Sequence, residues 1–212
     1  MANVLAPFGL RPVATLGSST WNQQVRMYYV PSGNTNAFYR GDVVAMAAGG
    51  DVVTGASQVD LFGTRNASSN SGAILGVVIG FAKAGGNASA AVPIGADPDN
   101  LNIVYVPATK TAAYYLFVCD DPNTIYEVLT DSIASTAFNK NCPIFIANAP
   151  TAPNNVSQTY AEGSGANTTN TFPLAIMGAP QRVNNELASP GTYARIYVKL
   201  NTSQLAPGRT GV

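Results

Sequence analysis

Eleven Asp and Glu residues are the first groups in this chain that could do chemistry, because it contains no histidine. Histidine is the commonest general base near neutral pH, a frequent metal ligand and the central member of Ser-His-Asp and Cys-His constellations. Its absence removes those mechanisms together. Asp120-Asp121 is an adjacent carboxylate pair, but neighbours in a strand face opposite ways, and Pro122-Asn123 after them marks a turn, which suits Asp. Asp97-x-Asp99-Asn100 offers oxygen ligands for calcium without the further spaced ligands and the bidentate Glu of a calcium loop. Glu127 stands between apolar strand neighbours and is expected to face solvent or a partner rather than act as a general acid. Gly76-x-x-x-Gly80 opens no helix and has no Lys-Ser/Thr behind it, so it is not a phosphate cradle. No Gly-x-Ser-x-Gly elbow occurs, and nothing in the spacing of Lys83, Lys110, Lys140 or Lys199 selects a Ser-Lys pair. Cys119 and Cys142 lack metal-site spacing and read as buried free thiols, with a single disulfide open in an oxidising compartment. The residues therefore predict a protein that is not an enzyme, with no catalytic, cofactor-binding or metal residues and no cofactor.

Composition points the same way. Of 212 residues, 46% are hydrophobic, enough for a core, and only 10% are charged, well below the roughly 25% of an average soluble protein. Eleven basic and eleven acidic residues cancel. A nucleic-acid binder needs a basic face and a membrane-surface protein a polybasic segment, so neither direct nucleic-acid nor membrane binding is expected. A sparsely charged surface favours association, as in a component covered by an assembly. Met1-Ala2-Asn3-Val4-Leu5 lacks the basic start and apolar run of a signal peptide, and the uncharged run Gly72 to Ala82 is about half a bilayer span. Cytoplasmic synthesis is the expectation.

The elements that must position these residues are strands. Gln23 to Pro31, Phe38 to Met46 (with Gly41-Asp42 as turn or bulge), Ile74 to Phe81, Ile103 to Val106, Ala113 to Cys119, Thr124 to Leu129, Pro143 to Ala147, Phe172 to Gly178 and Tyr193 to Leu200 all read as strands. Val52-Val53-Thr54 is a short strand at most. Tyr193 to Leu200 alternates best, with Ala194, Ile196, Val198 and Leu200 on one face and Tyr193, Arg195, Tyr197 and Lys199 on the other. Ile74 to Phe81 is a nearly continuous β-branched run, as expected of a strand buried on both faces. Asp131 to Phe138 is the one short helix predicted, with Asp131 as N-cap. Gly63 to Gly72, Lys83 to Ala91 and Ala149 to Thr171 read as polar loops. The fold class is all-β, an antiparallel sandwich or barrel with an extended N-terminal arm and long polar loops. The boundaries are 1–20 for the arm and linker, 21–201 for a single β domain with a polar insertion near 149–171, and 202–212 for a polar C-terminal tail.

The arm holds Pro7, Phe8, Leu10, Arg11 and Pro12. Its two prolines disfavour helix and leave an extended segment in which Phe8 and Leu10 are apolar anchors and Arg11 the polar contact. It lies either on its own domain, as ordered termini often do, or on a neighbouring subunit. The absence of an active site and the charge-poor surface favour the neighbour, where prolines that keep the arm extended reduce the entropy lost on docking.

Several strings, in one order along the chain, give a resemblance: Met1-Ala2-Asn3 leading into Pro7-Phe8-Gly9-Leu10-Arg11-Pro12; Gly41-Asp42-Val43-Val44; Ile74 to Phe81; Asp120-Asp121-Pro122 before Thr124 to Val128; Leu174 to Gly178; Asn185-Glu186; and Val198-Lys199-Leu200-Asn201. In these the chain resembles the capsid decoration, or cement, proteins of tailed bacteriophages. The resemblance implies a structural virion protein on the outer surface of an icosahedral phage head, bridging neighbouring major capsid subunits as a β-sandwich or barrel homo-oligomer, trimer favoured over dimer. The alternative is a carbohydrate-binding or tail-fibre-type β module using Tyr- and Asn-rich loops, against which a single tryptophan, Trp21, weighs mildly.

Overall fold

The best alternation in the sequence becomes a strand that divides core from surface. In the computed structural model, which describes residues 3–17, 19–84, 103–150, 155–187 and 191–206, β15 (Arg195–Leu200) buries Ile196, Val198 and Leu200 and leaves Arg195, Tyr197 and Lys199 on the opposite, partly exposed face. To one side it pairs antiparallel with β10 (Thr124–Leu129), placing Glu127 opposite Tyr197. To the other it pairs with β14 (Leu174–Gly178). With β1 (Arg11–Thr15) and β11 (Asn141–Cys142) at the edges, the sheet runs β1-β10-β15-β14-β11.

A second body is a closed five-stranded barrel. Its strands are β2 (Arg26–Val30), β4 (Val43–Gly50), β5 (Ser57–Leu61), β7 (Gly76–Lys83) and β9 (Tyr114–Cys119), in the order β2-β5-β4-β7-β9. Closure pairs every strand on both sides and so removes the exposed edges of an open sheet. The β2–β5 pairing, through Tyr29 and Gln58, is parallel, and the others are antiparallel. Smaller pairings complete the fold: β3 (Phe38–Tyr39) with β8 (Tyr105–Val106), and β12 (Ile144–Ile146) between β6 (Ala67–Asn70) and β13 (Tyr160–Ala161). One apolar core joins barrel and sheet, running from Leu10 through Val44, Val78 and Leu116 to Tyr126 and Ile196. The all-β class is as the sequence predicts.

Four expectations are corrected. The predicted helix at 131–138 is only a 3-10 turn, Ser135–Ala137. Asp131 accepts hydrogen bonds from the Ser132 and Ser164 amides instead of capping, while Ile133 exchanges two backbone bonds with Gly191, which holds that stretch extended. The polar segment 149–171 carries β13 and a 3-10 turn, Gly163–Gly165, and buries Ser157, Thr159 and Ala161. Side chains outside the segment bond its backbone: the Asn141 side chain donates to the Thr169 carbonyl at 2.9 Å, and the Gly163 amide donates to Thr130 Oγ1 at 3.0 Å. Residues 52–54 form a turn, and strands β5 and β6 occupy stretches whose polarity hides them. Residues 202–206 of the expected tail are bonded into the fold, the Ile74 amide donating to the Thr202 carbonyl at 2.8 Å and the Met46 amide to Gln204 Oε1 at 2.7 Å. Asp97-x-Asp99-Asn100 and most of the predicted loop at 83–91 lie outside the described residues.

Candidate interaction surface

Asp120 and Asp121, the first carboxylates to test, are held by separate partners. Asp121 organises its turn, accepting from the Asn123 amide at 2.9 Å. Asp120 is buried against β2, taking the Tyr28 hydroxyl at 2.7 Å and lying 3.5 Å from Arg26. Burial first, and then this bond to Asp120, push the Tyr28 phenol up to about 12. Both aspartates line a cleft of about 660 Å³ with Gln24, Val25, Arg26, Pro122 and Leu205. None of these is aromatic, so the cleft offers no platform for a sugar ring to stack on. Lys110 is spent on carbonyls, its Nζ donating to Asn34 at 2.6 Å and Asn36 at 2.7 Å, and burial lowers its pKa. Cys119 and Cys142 are free and buried, and burial pushes the Cys142 thiol up, away from the reactive thiolate. Among the described residues no group of three or more Cys, Asp or Glu is placed to hold a metal ion, and no helix is long and apolar enough to cross a membrane.

Glu127 is the carboxylate that organises a surface. It is fully buried in β10, against the expectation that it faces solvent or a partner. Arg182 binds it through two parallel hydrogen bonds, Nη1 to Oε1 at 2.9 Å and Nη2 to Oε2 at 3.2 Å. Arg11 donates to Oε2 at 3.1 Å, and Arg195 stands 3.7 Å from Oε1. The Phe8 ring faces two of these guanidiniums, at 5.1 Å from Arg11 and 5.6 Å from Arg195. The sequence signal was available: a Glu between Tyr126 and Val128 in a strand with no polar face needs cationic partners, because a carboxylate pays heavily for leaving water alone.

The predicted contact residues separate into two groups. Leu10 is a core residue and so no free anchor for a neighbour, whereas Arg11 is tied to Glu127 but keeps 56% of its side chain exposed. The Leu10 amide donates to the Gly41 carbonyl at 3.0 Å, and the Gly41 amide donates to Val78 at 2.8 Å. Three of the strings behind the resemblance thus meet at one point. Pro12 pairs with Tyr126 on the outer strand β1 beside a bulge, the position where a residue without an N–H costs least. Pro7 and Phe8 are half-buried. Residues 11–15 therefore belong to the main sheet rather than to an arm. What remains arm-like is 3–7, with Val4 74% and Leu5 52% exposed. Asn3 moors it, its side chain donating to the Glu186 and Thr192 carbonyls and accepting from the Glu186 amide. Asn185 in turn fastens loop 180–187 to β15 through the Arg195 amide and carbonyl.

Fold and surface together define a protein built from a closed barrel and an open sheet, whose N-terminal segment and 180–187 loop are locked around one buried carboxylate. No protein-family model, no curated protein and no solved structure matches the chain.

Proposed function

We propose that the chain is a structural virion protein that binds the outer surface of an icosahedral tailed-phage head and stabilises it by bridging neighbouring major capsid subunits, acting as a homo-oligomer with three subunits expected. One observation carries the proposal: the N-terminal segment is held at its inner end by Leu10 and Arg11 and presents Val4 and Leu5 to solvent at its outer end. An apolar tip on a pre-ordered stem suits attachment to another protein, because the stem's ordering cost is met within the fold rather than on binding. Each such contact need only be modest when several copies engage together. The string resemblance supports the same role.

The test uses expanded heads stripped of the protein. The full chain is expected to rebind, and a chain lacking residues 1–5 to rebind at least about tenfold more weakly while its melting temperature falls by only a few degrees. Failure of the full chain to bind, or equal binding by both, overturns the proposal. Mass photometry of the purified protein reads the oligomeric state.

A further inference from the structure

We propose that Arg11, Arg182 and Arg195 form a docking site for paired carboxylates on an acidic segment of a protein partner. Three guanidinium groups here share one carboxylate, so the cluster carries two positive charges beyond what Glu127 neutralises. Arg182 alone satisfies both oxygens of Glu127, and a second and third arginine exceed what holding that residue requires. Among the described residues the Arg195 guanidinium donates no hydrogen bond. The three side chains are 56%, 41% and 34% exposed, so their outward N–H groups face solvent as forks suited to carboxylates.

The surroundings select a protein over a free phosphate or a nucleic acid. Val183, 97% exposed, is next in the chain to Arg182, and Phe8 packs against two of the guanidiniums. Arginine beside aromatic and apolar side chains is the composition of protein interfaces. A nucleic acid would need basic residues spread along a groove, whereas this chain is neutral overall. The proposal deepens the binding role above by naming its partner's chemistry. The test needs no phage head, so failure here and failure there are separate results.

The probe is the peptide acetyl-Leu-Glu-Glu-Val-Glu-Glu-Ile-amide, titrated into 15N-labelled full chain while the arginine Nε–Hε resonances are followed. Saturable shifts are expected at Arg11, Arg182 and Arg195. Arg195→Gln should weaken binding about fivefold or more and Arg195→Lys less than that, as expected for a charge-complementary contact, both with native amide spectra. No saturable shift, or an equal response to the same peptide with Gln for Glu, to inorganic phosphate or to a dT12 oligonucleotide, overturns the site. Undiminished binding by a folded Arg195→Gln variant overturns it too. Should that variant misfold, the wild-type titration decides alone, by whether the shifts centre on these three arginines.

Discussion

Gly9 and Gly41 cross backbone to backbone: a Cβ on Gly9 would stand 2.5 Å from the Gly41 carbonyl oxygen, and one on Gly41 would stand 2.7 Å from the Phe8 carbonyl oxygen. Both also have positive φ, +71° and +90°. The N-terminal segment enters the fold through this crossing, which sets where Leu10 and Arg11 fall. Gly9→Ala and Gly41→Ala should each cost at least about 2 kcal/mol, from left-handed strain plus a clash with backbone that has no rotamer to escape by. Gly33→Ala, where a Cβ meets nothing within 4 Å, is the control and should be nearly neutral. Urea denaturation of the three variants checks this, and equal midpoints would show that the crossing is not tight.

Leu10 separates a structural stem from a dispensable tip. Leu10→Ala removes a side chain that is 1% exposed and should cost about 2–5 kcal/mol. Deleting residues 1–5 removes, among the described residues, the exposed Val4 and Leu5 side chains and the three solvent-exposed Asn3 bonds, for about 1–2 kcal/mol. Thermal denaturation of both proteins tests the division, and a truncation as damaging as Leu10→Ala would place the stem's anchor further out.

The sequence made the strands legible where one face had to be dry. Ile196, Val198 and Leu200 announce β15 by alternation, and Val77 and Val78 announce β7 by continuous β-branching. It hid β5 and β6, because Ser57-Gln58 and Ser68-Ser69-Asn70 are strands by pairing with neighbours and not by their own hydrophobicity. Local propensity also misled at Asp131, whose oxygens were taken by Ser164, distant in sequence, and by Ser132. Residues 11–15 of the expected arm are a strand of the main sheet, and their place there depends on Glu127. Nothing local to Arg11 reveals that its partner lies 116 residues away, with Arg182 and Arg195 converging on it.

Glu127 should be the least replaceable charge in the chain. Glu127→Gln would leave three guanidiniums repelling one another around a neutral amide, and loss of one partner from a buried ion pair costs about 3–5 kcal/mol. Arg195→Gln removes a 3.7 Å contact from a partly exposed side chain and relieves some of that repulsion, so it should cost about 1 kcal/mol or less. Guanidinium denaturation distinguishes the two. An Arg195→Gln loss as large as that of Glu127→Gln would mean that the third arginine is structural.

The β4–β5 turn carries its own pH signal. Asp51 accepts from the Thr54 hydroxyl, from the Val53 and Thr54 amides and from the Tyr115 hydroxyl at 2.7 Å. The Thr54 hydroxyl foremost, with Tyr115 and the two amides adding and partial burial opposing, lowers its carboxyl from 3.8 to about 2. Because the folded value lies below the unfolded one, the unfolded chain binds the proton more tightly between them. The stabilisation is therefore complete above pH 4 and is lost as pH falls towards 2. Asp51 is largely solvated, so screening holds the effect below about 1 kcal/mol, too small for a melting curve to resolve cleanly. The Val53 and Thr54 amide 15N shifts should titrate with a midpoint near 2, and Asp51→Asn should abolish that titration. A midpoint close to 3.8 in the native protein would mean that these four donors do not converge on Asp51 in solution, and that Val52 and Val53 are carried on a loose turn rather than a fixed one.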